Sequence, residues 1–205
     1  MKHLLLLLNG VLTVGLSVVS PVFAATTATE TIKNLNAAYR GESNAHHRYS
    51  KFAEAAEKEG YAQVAKLFRA AAAAEAIHRD TNKAAIEKLA GKVETFQVDE
   101  VEVKSTDDNL RAAITGESYE RDTMYPEFLS AAKKEDAREA IRSFQFAVAA
   151  EAEHAKLYQA ALDNLGKKAP EDYYVCQGCG MTLTKLPDKK CPSCRKSVKE
   201  YKKIS

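Results

Sequence analysis

From Glu30 to Gly166 apolar residues recur every three or four positions, the spacing of helices that each bury one face. Four helices are expected. The first covers 31–58 and stops at Gly60, and the second covers 61–89, with Gly91 just past its end where a left-handed cap would sit. The third covers 105–134, opening at Ser105-Thr106-Asp107-Asp108, where Ser105 and Asp108 resemble a capping box. Pro126 lies inside it and is expected to bend it. The fourth covers 136–165 and stops at Gly166. Between the second and third, residues 96–103 alternate Val with acidic residues, a β-prone stretch read as a long crossover. Two short connections and one long one describe an all-α bundle of two hairpins.

The stripes that should face inward carry an anomaly. The first helix gives Leu35, Ala38, Glu42, Ala45, Tyr49 and Phe52; the second gives Val64, Phe68, Ala71, Glu75, His78, Ala85 and Leu89. The third gives Leu110, Ile114, Glu117, Glu120, Met124 and Phe128; the fourth gives Phe144, Ala147, Glu151, His154, Tyr158 and Ala161. Each stripe is apolar except near its middle. If the stripes meet, five carboxylates and two imidazoles share one interior.

A buried charge costs several kcal/mol even after relaxation, against a total stability of about 5–15 kcal/mol. Five uncompensated carboxylates would unfold the bundle or hold protons. Two divalent irons, with four positive charges, nearly balance them. The i, i+3 spacing of each Glu-x-x-His sets both side chains on one face, about 5–6 Å apart at Cβ. Oxygen-rich ligation with two imidazoles suits iron or manganese better than structural zinc. One Glu-x-x-His on an Ala-rich helix is usually a solvated pair. Here there are two, in register with two Gly-Glu-Ser elements. Gly41-Glu42-Ser43 recurs 75 positions later as Gly116-Glu117-Ser118, and Glu75-x-x-His78 recurs 76 positions later as Glu151-x-x-His154. One hairpin duplicated into two accounts for that. His46 and His47 fall at or off the stripe edge and are not expected to ligate.

All four cysteines lie near the carboxyl terminus, as Cys176-x-x-Cys179 and Cys191-x-x-Cys194. A segment this short needs a staple to fold. Two such knuckles point to a tetrahedral thiolate site for iron or zinc, with disulfides as the alternative use.

The amino terminus differs again. Lys2 and His3 precede an apolar run, and Pro21-Val22-Phe23-Ala24 has the small residues of a cleavage site, so 1–24 reads as a signal peptide cut after Ala24. An uncleaved anchor is the alternative, but Asn9, Gly10 and Thr13 interrupt the run. The mature protein is therefore expected outside the inner membrane, periplasmic, with no stable anchor. Thirty basic and 28 acidic residues give a net charge of +2, a near balance that gives no electrostatic reason to expect nucleic acid. The resulting division is 1–24 signal, 25–166 bundle, 167–172 linker and 173–205 cysteine tail.

Several segments together resemble the rubrerythrin family. Ala38-Tyr39-Arg40-Gly41-Glu42-Ser43, Glu75-x-x-His78, Gly116-Glu117-Ser118-Tyr119-Glu120 with Tyr125-Pro126, and Glu151-x-x-His154 are similar to its di-iron domain. Tyr174-Val175-Cys176-x-x-Cys179-Gly180 and Cys191-Pro192-x-Cys194 are similar to its rubredoxin-like tail. The resemblance implies a ferritin-like four-helix bundle holding two non-haem irons, followed by a small rubredoxin-like domain holding one iron, or zinc, on four cysteines. It implies that Glu75 and Glu151 bridge the irons, with Glu42, Glu117 and His154 terminal. Glu120 would exchange with His78 as the site is reduced, with Tyr49 and Tyr125 flanking the ligands. The implied activity is that of a peroxidase, reducing hydrogen peroxide to water with electrons returned through the cysteine-bound iron. Homodimers are implied, with the tail serving the partner subunit's site. Arg195 departs from the Gly usual in rubredoxin knuckles. Export also removes the nicotinamide pool, so an unidentified redox protein would have to be the donor. The competing functions are a ferroxidase with a structural zinc tail and, more weakly, a purely structural bundle; Glu120 favours the peroxidase.

Overall fold

The computed structural model describes residues 28–167 and 172–205. The signal expected at 1–24 and most of the linker expected at 167–172 lie outside the described residues. The chain has a ferritin-like helical fold followed by a small rubredoxin-like domain. Helix α1 spans Thr29–Lys58, α2 Ala62–Lys88, α3 Thr106–Tyr119, α4 Tyr125–Lys134 and α5 Arg138–Asp163. Among the described residues no helix is long and apolar enough to cross a membrane.

The third helix is not one bent rod. A π turn, Glu120–Met124, separates α3 from α4, and Pro126 sits in the first turn of α4. Pro126 has no N–H to give, and the π turn just before it keeps the helical backbone continuous, with Tyr125 N–H donating to the Glu120 carbonyl. The register shift is absorbed upstream. As a result Tyr125 is fully buried, while Met124 and Phe128, expected on the stripe, are half-buried.

The left-handed residue after α2 is Ala90, at φ 54°, and not Gly91. Gly91 is required for space, since a Cβ there would stand 2.9 Å from Ile32 Cγ2 and 3.0 Å from Ile86 Cγ2. The crossover, 91–105, forms neither helix nor strand. Side chains of α1 satisfy its backbone: Asn36 Nδ2 donates to the Lys92 carbonyl and Asn36 Oδ1 accepts from Glu94 N. Asn44 Oδ1 accepts from Asp99 N. At the start of α3, Ser105 Oγ accepts from Asp108 N.

Two apolar clusters fill the bundle on either side of its middle. One stacks Tyr49, Phe52, Phe68 and Tyr158, with ring centroids 5.2–6.3 Å apart. The other gathers Leu35, Ala38, Tyr125, Phe144 and Ala147, with Phe128 against it. Aromatic rings of this size carry most of the burial a helical core needs. The ionisable band lies between the two plugs.

The tail is a three-stranded antiparallel sheet in the order β2-β1-β3: β1 is Tyr173–Cys176, β2 Thr182–Leu183 and β3 Tyr201–Ile204. Tyr173 and Val175 are buried in the first apolar cluster of the bundle. The tail therefore folds back onto its own bundle, where the resemblance implied a partner subunit's, and its first knuckle comes to rest over the band of Glu and His.

Candidate metal centres

Each helical hairpin delivers three ionisable side chains to one place. Glu42 comes from α1, Glu75 and His78 from α2, Glu117 from α3, Glu151 and His154 from α5, and none is more than 1% exposed. They form two overlapping quartets: Glu42, Glu75, His78 and Glu151, and then Glu75, Glu117, Glu151 and His154. Within each quartet one ligand atom from every residue lies within 4.8 Å of all the others. Glu75 and Glu151 belong to both. A carboxylate has two oxygens, so a residue common to two quartets has the geometry of a bridge.

The imidazoles aim Nδ1 at the shared carboxylates. His78 Nδ1 is 2.9 Å from Glu75 Oε2 and 3.0 Å from Glu151 Oε1. His154 Nδ1 is 2.9 Å from Glu151 Oε2 and 3.2 Å from Glu75 Oε1. Several of these atoms have no hydrogen-bond partner: Glu42 Oε2, Glu75 Oε1, Glu117 Oε2, both oxygens of Glu151, and His154 Nδ1. A folded protein rarely leaves so many buried polar atoms orphaned unless something else binds them. The donor set is oxygen with imidazole, which fits iron.

Burial and mutual repulsion disturb the titration of the whole group. Burial and the neighbouring Glu75 and Glu151 push Glu42 well above the usual carboxylate range. Burial and Glu75 push Glu117 up to about 7. For Glu75 burial acts upward too, but His154 and His78 hold it down at about 2. Burial opposes the charged form of both histidines, yet the carboxylates around them raise His78 and His154 well above the ordinary imidazole range. Opposed shifts of this size mark a site with more buried negative charge than its own side chains neutralise, which cations would balance.

Two tyrosines brace the terminal carboxylates. Tyr49 Oη donates to Glu117 Oε1 at 2.6 Å, and Tyr125 Oη donates to Glu42 Oε1. Each spans the bundle from one hairpin to the ligand of the other. Glu120 stands apart. It sits on the π turn, half-buried, outside both quartets. Burial, then the charges of Glu42 and Glu117, raise its pKa well above the usual carboxylate range. The structure thus has His78 among the ligand atoms and Glu120 withdrawn. Arg48, which the inward stripes do not single out, lies with its guanidinium carbon 5.3 Å from the Tyr49 ring centroid. His46 is turned away, with Nδ1 on the Ala72 carbonyl at 2.7 Å.

The π turn had a trace in the sequence. The repeat interval is 75 at Glu42/Glu117 and 76 at Glu75/Glu151, so one hairpin carries an extra residue. The intervals Leu35/Leu110 (75) and Tyr49/Tyr125 (76) confine that residue to the stretch holding Glu120–Met124. A single inserted residue in an α-helix is commonly accommodated as a π bulge, often at a functional site.

In the tail the four cysteines are free thiols. The Sγ atoms of Cys176 and Cys194 are 3.6 Å apart, as are those of Cys179 and Cys191, and all four lie within 4.8 Å of one another. A tetrahedron with metal–sulfur bonds of ~2.3 Å has edges of ~3.8 Å. That spacing suits a shared metal and is far from the ~2.05 Å of a disulfide. A hydrogen bond from Cys179 holds Cys176 down at about 5, while the same bond and burial push Cys179 up. Arg195, exposed on the second knuckle, takes the left-handed conformation itself, at φ 64°, and still donates its N–H to the Cys191 carbonyl.

The first knuckle meets the bundle directly. His78 Nε2 lies 3.1 Å from the Cys179 carbonyl, and His154 Nε2 lies 2.9 Å from Thr182 Oγ1. Gly180 passes so close that a Cβ would stand 2.2 Å from His78 Nε2, and its φ is +75°. Only glycine fits there on both counts. Thr182 had no signature in the sequence, because nothing local marks a hydroxyl that reaches a histidine 28 residues away.

Such a bundle, with paired Glu-x-x-His motifs, two further glutamates and a four-cysteine appendage, defines a ferritin-like di-iron carboxylate protein with a rubredoxin-like tail. The rubrerythrin family model matches residues 33–162. Nigerythrin of Nitratidesulfovibrio vulgaris (strain Hildenborough) is 37% identical over 164 residues, covering 80% of this chain and 81% of that protein. A rubrerythrin of Porphyromonas gingivalis is 36% identical over 172 residues, covering 80% of this chain and 85% of its own. A solved structure of nigerythrin in its mixed-valence state superposes with a TM-score of 0.78 at 35% identity, over 84% of this chain and 86% of that one. The chain belongs to the rubrerythrin family.

Proposed function

We propose that this protein is a non-haem di-iron peroxidase that reduces hydrogen peroxide to water, fed with electrons through the four-cysteine site. One observation carries the reading. His78 presents Nδ1 to the bridging carboxylates and Nε2 to the carbonyl of Cys179, so one side chain touches both centres. The balance is H2O2 + 2 e− + 2 H+ → 2 H2O, with one electron supplied by each ferrous ion when the pair is loaded.

The chain's own residues do the rest. Glu42, Glu75, Glu117, Glu151, His78 and His154 would hold the pair, with Glu75 and Glu151 common to both positions. Tyr49 and Tyr125 fix the orientation of the terminal carboxylates by donating to them. Glu120, on the π turn, would be the carboxylate that exchanges with His78 between the oxidised and reduced states of a loaded site. The apolar clusters above and below keep bulk water from the reacting oxygens. The amino-terminal signal supports a periplasmic protein with a redox-protein donor, and the family supports a homodimer.

The test is stopped-flow oxidation of the reduced, iron-counted protein by peroxide, alongside Cys179→Ser. The wild type is expected to turn over steadily with a donor. The variant is expected to be oxidised once by peroxide and then stop. Steady turnover by Cys179→Ser would remove the tail from the path. A colourless zinc tail, with dioxygen-driven ferrous oxidation outpacing the peroxide reaction, would favour the ferroxidase.

A further inference from the structure

The first knuckle touches both imidazoles on Nε2, the nitrogen that faces away from Glu75 and Glu151. A carbonyl can only accept, so His78 Nε2 must carry the proton it gives to Cys179. Thr182 Oγ1 donates to the Gly180 carbonyl at 3.1 Å, which spends its only proton. The hydroxyl therefore accepts from His154, and Nε2 of that ring carries a proton as well. In both rings this leaves the Nδ1 lone pair for the ligand position between Glu75 and Glu151. A hydrogen bond to the distal nitrogen fixes the tautomer and angle of a metal-binding histidine and makes it a better ligand.

All these acceptors lie on one short loop, Cys176 to Thr182, and that loop is shaped by the thiolate site. The N–H groups of Cys179 and Gly180 both donate to the Cys176 carbonyl, and Cys176 N donates to the Met181 carbonyl. Gly180 lets the loop lie flat on His78. Two sulfurs of the four-cysteine site thus set where the Cys179 carbonyl and the Thr182 hydroxyl stand.

We propose that Thr182 is a positioning residue for His154, and that the Cys176–Thr182 knuckle couples the two metal centres, so that filling the four-cysteine site tightens ferrous binding in the bundle. By reciprocity, ferrous ions in the bundle tighten the tail site by the same factor. The inference concerns metal affinity and stands whether or not the peroxidase reading holds.

The experiment uses the full chain, anaerobically, with ferrous ion titrated against a competing chelator. The first comparison needs no mutation: bundle affinity is measured before and after one equivalent of zinc fills the thiolate site. Filling is expected to raise ferrous affinity about 10–100-fold. With the tail filled, Thr182→Val is expected to weaken one of the two ferrous ions about 10–100-fold, and Thr182→Ser to stay within ~3-fold of wild type. A cobalt-loaded sample separates positioning from misfolding. The ligand-field bands of bundle cobalt should change in Thr182→Val and return in Thr182→Ser, while the thiolate charge-transfer bands of the tail stay put. Equal ferrous affinity with and without tail zinc would overturn the coupling. Thr182→Val binding both ions like wild type would overturn the role of the hydroxyl.

Discussion

The two hairpins of the bundle are the same object built twice. Thr31 and Thr106 are both fully buried at the start of α1 and α3, and each backbone N–H is received by a glutamate from the other hairpin's turn. Glu135 Oε2 takes Thr31 N at 2.8 Å, and Glu59 Oε2 takes Thr106 N at 3.1 Å. Tyr125 reaches across to Glu42 as Tyr49 reaches across to Glu117. Two differences between the halves bear on the site. The second has one extra residue, taken up as a π turn that carries Glu120. The tail then lands on both histidines but offers them unlike partners, a carbonyl for His78 and a hydroxyl for His154. The lesson is that duplication supplies a symmetric cage for two ions, whereas the asymmetry that chemistry needs comes from an insertion and a docking.

The largest expected effect removes the first asymmetry. Glu120→Ala makes the π-bearing half resemble its counterpart, where Ala45 occupies the place 75 residues earlier. Both ions should stay bound while peroxide turnover falls about 10–100-fold, read by stopped flow on metal-counted protein. Unchanged turnover would sink the exchange of Glu120 with His78.

Next comes the symmetric part of the site, probed by taking the metals away. Glu117 is pushed up to about 7, so between its unfolded value and 7 the folded chain binds more protons than the unfolded one, and stability falls as pH rises. The raised histidines act in the same direction: their contribution is present below the ordinary imidazole range and is lost as pH climbs through their folded values. Glu75, held at about 2, gives stability that is lost only in acid, below that window. Metal-free protein should therefore melt at higher temperature near pH 5 than near pH 8. Glu117 alone contributes a difference of about 3 kcal/mol. Metal-loaded protein should show little of this slope, since the ions displace the protons. A metal-free melting temperature that rises from pH 5 to 8 would contradict the charge arrangement.

The smallest effect lies where the hairpins end. Ala90 and Gly166 are 76 residues apart and both have positive φ, 54° and 77°. One half solved the left-handed cap with glycine and the other did not. Ala90→Gly should stabilise the protein by about 1 kcal/mol and Gly166→Ala should destabilise it by about as much, read from chemical denaturation. Shifts of the same sign would show that the two ends are not equivalent.

Much of this was legible in the chain. Helical periodicity interrupted by Glu42, Glu75, His78, Glu117, Glu151 and His154 marks a bundle with a charged interior, because buried carboxylates at core positions demand cations. The spacing of Cys176, Cys179, Cys191 and Cys194 marks a thiolate site for the same reason: ligands close in sequence can close on one ion. Those facts are local, or repeat with a fixed period, and a linear pattern can hold them. The π turn was half visible, as a repeat interval changing from 75 to 76. The contacts of Thr182 with His154 and of Cys179 with His78 left no trace, nor did the choice of Ala90 over Gly91 as the left-handed residue. Each depends on where one surface comes to rest on another, and only close packing of the tail against the bundle decides that, since no single residue's chemistry specifies a partner that the fold has yet to bring near.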